Sequence, residues 1–278
     1  MMRIMCACAT CLASATSGSP ADQLDAFAGS TSHVPTMGFL LPENDGVYRF
    51  TCPRGHENIY LHQSEKFETL FEISLHAIID GYYREAIATF GAALERFYEA
   101  AIDVLLIARS IPDNERSVSW NKIKKQSERQ LGAYVFTWLA VAGDLPQTLS
   151  DNDASFRNEV VHQGRICTKS EAIRFGNLVR VIIEQGIESL KSKFNDAVEQ
   201  RQFEQSAKLR NIAGVNNAVV TRSTGAVSLS GQVSKTVEEW LKDRWAYRQV
   251  TDEAMRALTP LGLIIQPSPD PSFPSAND

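Results

Sequence analysis

From about Ser64 the chain takes up a helical repeat and keeps it for most of its remaining length, which confines it to a mainly α architecture. Phe67, Leu70, Phe71, Leu75 and Ile78 recur at spacings of three and four, the mark of one buried helix face. Asp80-Gly81 ends or bends that helix. Ile87, Phe90, Leu94, Phe97, Ile102 and Leu105 define a second, from about Tyr82 to Ala108, broken by Ile111-Pro112-Asp113-Asn114. The pattern predicts further helices over Ser119–Leu131 and Tyr134–Ala142. After the loop Gly143-Asp144-Leu145-Pro146, residues 151–155 offer N-caps for a helix that Gly164 ends. Thr168-Lys169-Ser170-Glu171 is a capping box opening a long helix to about Leu209, with Ile173, Leu178, Ile182, Ile183, Ile187 and Leu190 as its stripe. Beyond Lys191 it turns polar, so its far end is predicted to project into solvent or to pair with another chain. Short strands over Val215–Val233 and one more helix over Val237–Leu258 follow.

Residues 1–62 have a different composition, rich in small residues and turn formers. Ser17 to Gly38 reads as an irregular loop, whereas Val47–Cys52 and Ile59–Leu61 read as strands joined by Pro53-Arg54-Gly55. Four of the five cysteines fall here. Cys8-x2-Cys11 and Cys52-x3-His56 are short spacings that let a tight turn aim two soft ligands at one point. Four such ligands satisfy tetrahedral Zn2+. A segment of ~60 residues with few large apolar side chains also needs a staple of this kind. Cys6 is an alternative to Cys8, and the competing reading is mobile terminal cysteines beside a turn histidine. The pairs resemble those of zinc ribbons, although Cys8-Ala9-Thr10-Cys11 lacks the Pro and Gly often found in a ribbon knuckle. A closed four-ligand site is structural, not catalytic.

A net charge of -5 and a pI near 5.6 argue against coating nucleic acid or anionic membranes over a broad surface, while leaving room for a local basic run such as Arg116 to Arg129. No apolar run approaches the ~20 residues a membrane crossing needs. The N-terminus has one positive charge and no sustained apolar core, so an export signal is not expected. Cytoplasmic residence, with reduced cysteines available to a metal, is the expectation. No Walker A, dinucleotide fingerprint or His-Glu-x2-His is present.

The stretch with most chemistry is Ser155-Phe156-Arg157-Asn158-Glu159-Val160-Val161-His162-Gln163-Gly164, near the end of a predicted helix. An imidazole moves protons near neutral pH and a guanidinium grips phosphate, which together suffice for metal-free RNA cleavage. Some sixty residues earlier stands Tyr83-Arg84-Glu85-Ala86-Ile87-Ala88-Thr89-Phe90-Gly91-Ala92-Ala93-Leu94-Glu95. A long helix carrying Ala-Leu-Glu, followed by Arg-Asn-x3-His ending in Gly, resembles the HEPN superfamily of helical bundles, above all its bacterial defence and toxin members. The resemblance covers about residues 64–210. It implies a two-fold homodimer whose paired motifs form an RNA-cleaving site. Arg157 and His162 would be the active residues, Asn158 the polar neighbour, and Glu95 an acidic group orienting Arg157. It also implies an antitoxin or defence partner. Many relatives have lost cleavage and serve as adaptors, and an Arg157–Glu95 ion pair with His162 as a helix C-cap would serve structure alone. The expected organisation is a zinc-ribbon-like module (1–62), a HEPN-like bundle (63–212), an extension with short strands and a helix (213–265), and a disordered tail (266–278).

Overall fold

The structure is a computed structural model; it describes residues 2, 4–16, 36–40, 42, 46–214, 219–221, 225–230 and 234–265. Most of the expected loop before Gly38 and the expected tail 266–278 lie outside the described residues. The protein is mainly helical, with eight α-helices and two three-stranded sheets among those residues. It divides into two compact units. One comprises Ser64–Ala207 and Thr224–Trp245; the other comprises Met2–Gln63, Lys208–Ser223 and Ala246–Asp278. The parts of the extension 213–265 are divided between the two.

In the helical unit, α2 (Lys66–Ile79) and α3 (Tyr83–Ala108) form an antiparallel pair around a left-handed Gly81. Phe67 meets Phe97 edge to face at 5.6 Å between centroids, and Phe71 meets Phe90 at 4.8 Å. The single helix expected over 119–131 is instead the end of α4 (Asp113–Ile123) and the start of α5 (Ser127–Ala142). The chain turns at Lys124–Gln126, where the Gln130 side chain donates to the Lys124 carbonyl at 2.8 Å. Tyr134 on α5 stacks on Tyr98 of α3 at 4.4 Å. Helix α6 (Asp151–His162) starts at Ser150, whose hydroxyl accepts from the Asp153 N–H. The Thr168/Glu171 capping box opens α7 (Lys169–Ala213), which is interrupted by non-helical backbone at Phe194.

The polar far end of α7 does not project free. Arg201 is 5% exposed and pairs with Glu65 and Asp103; Arg116 is 5% exposed and reaches Asp103, Asp113 and Glu204. Asp103 on α3 lies between two buried arginines, and Ala197 and Val198 of the same stretch join the apolar core, so charge and apolar surface together fasten it. A segment at 225–230 packs on α2, where Glu68 and Glu72 accept the N–H groups of Leu229 and Ala226, and Arg244 on α8 (Val237–Leu258) forks onto Glu72.

In the other unit, β1 (Ile4–Ala7) leads into α1 (Ala9–Thr16) and pairs antiparallel with β2 (Met37–Leu40), which pairs parallel with the distant β6 (Ile264–Ile265). Gly38, expected in a loop, lies in β2: a Cβ there would stand 2.3 Å from the Ile265 carbonyl oxygen. The expected hairpin forms as β3 (Val47–Thr51) and β4 (Glu57–His62), extended by a parallel β5 (Val219–Thr221). One hairpin face, Val47 and Leu61, packs on Ala213 and Leu209 at the end of α7; the other presents Tyr48, Phe50, Asn58 and Tyr60, all buried.

Candidate metal centre and the Arg157 helix

The four predicted ligands meet. Cys8 caps α1: its carbonyl accepts the Leu12 N–H at 2.9 Å and its Sγ accepts the Cys11 N–H at 3.5 Å, which places Cys11 one turn along. Cys52 and His56 flank the β3–β4 turn, closed by Gly55 N–H to Cys52 O at 2.8 Å and Cys52 N–H to His56 O at 3.0 Å, with Gly55 at φ +82°. Only a glycine adopts that backbone without strain. His56 Nδ1 lies 3.6, 3.4 and 3.6 Å from the sulfurs of Cys8, Cys11 and Cys52, and the last two sulfurs are 4.0 Å apart. All four ligand atoms fall within 4.8 Å of one another. A tetrahedral centre with ~2.3 Å metal–sulfur and ~2.0 Å metal–nitrogen bonds has S···S edges of about 3.8 Å and S···N edges of about 3.5 Å. The cluster therefore has the dimensions of a metal site, and none of its cysteines forms a disulfide.

Cys6 takes no part. It is 2% exposed in β1, outside the cluster, and burial pushes its thiol up to about 12, so it packs as a neutral side chain. Burial also raises Cys8. At Cys11 burial is outweighed by hydrogen bonds, first from Thr36, then Arg54, Cys8 and His56, and the thiol falls to about 6. Cys52 is lowered too, against burial, by the backbone of His56 and Arg54; His56 is raised, chiefly by its hydrogen bond to Cys11. Two of the three ligand thiols, Cys11 and Cys52, are thus tipped toward thiolate, the form that binds metal.

On α6, Phe156 and Val160 are buried in the helical core and fix the helix's rotation. Arg157 then lies against α3 and pairs with Glu95, while its Nη1 donates to Asn158 Oδ1 at 3.2 Å. Three of the four predicted residues are together. The fourth, His162, is exposed on the last turn and has no hydrogen-bond or ion-pair partner among the described residues. The cap position itself belongs to Gln163, and His162 stands in the last turn, where the helix dipole favours a positive charge.

Two neighbours escaped sequence reasoning. A Cβ on Gly91 would sit 3.0 Å from Arg157 Nε, so this glycine clears the path by which Arg157 crosses α3. A glycine inside a 26-residue helix was the available signal. Arg84 on α3 donates to the Val161 carbonyl at 3.4 Å, placing a second guanidinium beside the residue that precedes His162. Of the basic run, Arg116 is buried in ion pairs, whereas Lys122, Lys124, Lys125 and Arg129 are exposed. No helix among the described residues is long and apolar enough to cross a membrane.

Compared with family models, with curated proteins and with solved structures, the chain matches none.

Proposed function

We propose that the helical unit is a HEPN-like endoribonuclease domain of the toxin or phage-defence kind, acting in the cytoplasm as a homodimer without a catalytic metal. The observation that carries this reading is the arrangement on α6: Arg157 is oriented by Glu95, and an exposed, unpartnered His162 stands on the open end of the same helix. In this scheme His162 takes the 2'-OH proton of RNA, and the oxygen so freed attacks the adjacent phosphorus. The bond to the 5'-oxygen breaks, and that oxygen is protonated by a second imidazolium. The products are a 2',3'-cyclic phosphate and a 5'-hydroxyl. Arg157 stabilises charge on the phosphoryl oxygens. DNA, lacking the nucleophile, is spared. Five helix positions separate Arg157 and His162 by about 140° and roughly 9 Å between Cα atoms. Two copies of the motif around a two-fold axis relieve that spread and supply the second imidazole.

The Cys8, Cys11, Cys52 and His56 cluster belongs to a structural Zn2+, since a tetrahedral set of three sulfurs and one nitrogen selects zinc and four protein ligands leave no open position. Zinc there folds its unit and takes no part in the cleavage.

One observation favours a second reading, a non-catalytic dimeric adaptor docking an antitoxin or defence partner: the charge of Arg157 is already neutralised by Glu95. Purified protein incubated with RNA in EDTA separates the two, compared with Arg157→Ala and His162→Ala. The ribonuclease reading expects chelator-resistant cleavage to cyclic-phosphate ends, reduced about 10²–10⁴-fold by removing the general base, and a light-scattering mass near two chains. Equal background in all three proteins selects the adaptor.

A further inference from the structure

The two ligand-bearing turns come from segments more than forty residues apart in sequence, and something must hold their sulfurs in register. Asn58 is placed to do so. It sits on β4, two residues past His56, and is 7% exposed. Its Oδ1 accepts the Ala9 N–H at 3.0 Å, in the first turn of α1. Its Nδ2 donates to the His56 carbonyl at 2.9 Å and lies 3.5 Å from Cys8 Sγ. One carboxamide therefore touches the Cys8 knuckle through backbone and sulfur, and the Cys52/His56 knuckle through backbone. An amide has one acceptor end and one donor end, and this geometry uses both. Tyr60, two residues further on the same face, makes a purely mechanical clamp: its hydroxyl donates to the Ala7 carbonyl and accepts the Ala7 N–H at 3.2 Å.

We propose that Asn58 is the positioning residue of the metal centre, locking the two knuckles together and donating a hydrogen bond to the Cys8 thiolate. This rests on the reading of the cluster as a metal site. Such a donor takes up charge from the sulfur and fixes the direction of its remaining lone pairs. A carboxylate in its place keeps the acceptor for Ala9 but loses the donor and sets a negative charge against the sulfurs. A phenylalanine for Tyr60 removes the neighbouring clamp and leaves every sulfur contact intact.

The experiment uses the full chain, stripped of metal and reloaded with Co2+ or Zn2+ in competition with a chromophoric chelator. Wild type, Asn58→Ala, Asn58→Asp and Tyr60→Phe are compared. Asn58→Ala and Asn58→Asp are expected to bind one metal per chain at saturation, but about 10–100-fold more weakly than wild type. Their Co2+–thiolate charge-transfer bands should shift, because the donor to Cys8 is gone. Tyr60→Phe should keep wild-type bands and an affinity within about threefold. Three results overturn the inference while leaving the metal site standing: Asn58 variants with wild-type affinity, Asn58 variants with wild-type bands, or Tyr60→Phe weakening the site as much as Asn58→Ala. A wild-type chain that takes up neither metal overturns the metal site itself, and Asn58's role with it.

Discussion

The same substitution, Gly to Ala, should have opposite signs at two helical positions of this protein. Gly132 in α5 has nothing within 4 Å of an added Cβ, so Gly132→Ala gains only the helix propensity of alanine, about 1 kcal/mol. Gly186 in α7 gains the same propensity, but its Cβ would lie 2.4 Å from Cζ and 2.8 Å from Cε1 of Phe97. Phe97 has no retreat: it is fully buried, edge-on to Phe67 and 6.2 Å from the Tyr134 ring. Overpacking of this kind costs about 1–3 kcal/mol, and a contact this short belongs at the upper end. After the propensity gain, Gly186→Ala should lose ~1–2 kcal/mol and the two variants should differ by ~2–3 kcal/mol. The assay is urea unfolding followed by tryptophan fluorescence, since all four tryptophans (Trp120, Trp138, Trp240 and Trp245) lie in the helical unit. Phe97→Leu combined with Gly186→Ala should cost less than the two changes summed, by about 1 kcal/mol or more, because the smaller side chain relieves the clash. A Gly186→Ala protein as stable as wild type, or strict additivity with Phe97→Leu, would refute the packing of α7 on α3 described above.

Burial lifts Glu68 from 4.5 to about 7, so the native state holds a proton there that the unfolded chain has released. Its contribution is whole below about pH 4.5 and is lost as pH rises through 7; at about 1.4 kcal/mol per pH unit the loss approaches ~3 kcal/mol. Glu68→Gln forfeits one acceptor by a constant amount but should remove that slope, so a stability difference from wild type that stays flat between pH 5 and 8 would count against it. Arg116→Ala leaves Glu204 with its Gln200 hydrogen bond and Asp103 with Arg201, both carboxylates a quarter exposed, and should cost about 1–3 kcal/mol in the same urea assay, whereas exposed Lys124→Ala should cost under ~0.5 kcal/mol. Cys52→Ser should release the bound metal and expose residues 2–63 to protease while the tryptophan-detected transition holds its midpoint; retained metal, measured by elemental analysis, contradicts the ligand set.

What the sequence made legible was whatever depends on near neighbours. The stripes of α2 and α3, the Thr168/Glu171 box and the two ligand pairs all fall within a few residues, so their spacing alone predicted them. The break at Lys124–Gln126 was missed because no Gly or Pro marks it and α4 has no apolar stripe; of its residues only Arg116 is buried, held by charge. The far end of α7 was misjudged for the same reason, since Arg201 and Glu204 read as solvated polar residues until Glu65, Asp103 and Arg116 are brought to them from 88 to 136 positions away. Strand β2 was hidden because its parallel partner, Ile264–Ile265, is more than two hundred residues distant. The candidate catalytic motif shows both regimes at once. Arg157 and His162 were legible as a local pair, but the structure gives them different surroundings: Arg157 is committed to Glu95, whereas His162 is free at the surface. A site that acts on phosphate from this arrangement must either draw Arg157 away from Glu95 or use its remaining donors while the pair stays closed. Glu95→Gln distinguishes these routes. It should raise cleavage if the ion pair restrains Arg157, and lower it if the carboxylate aims the guanidinium. Gly91→Ala, which crowds Arg157 at the pair without changing charge, should move cleavage in the same direction as Glu95→Gln.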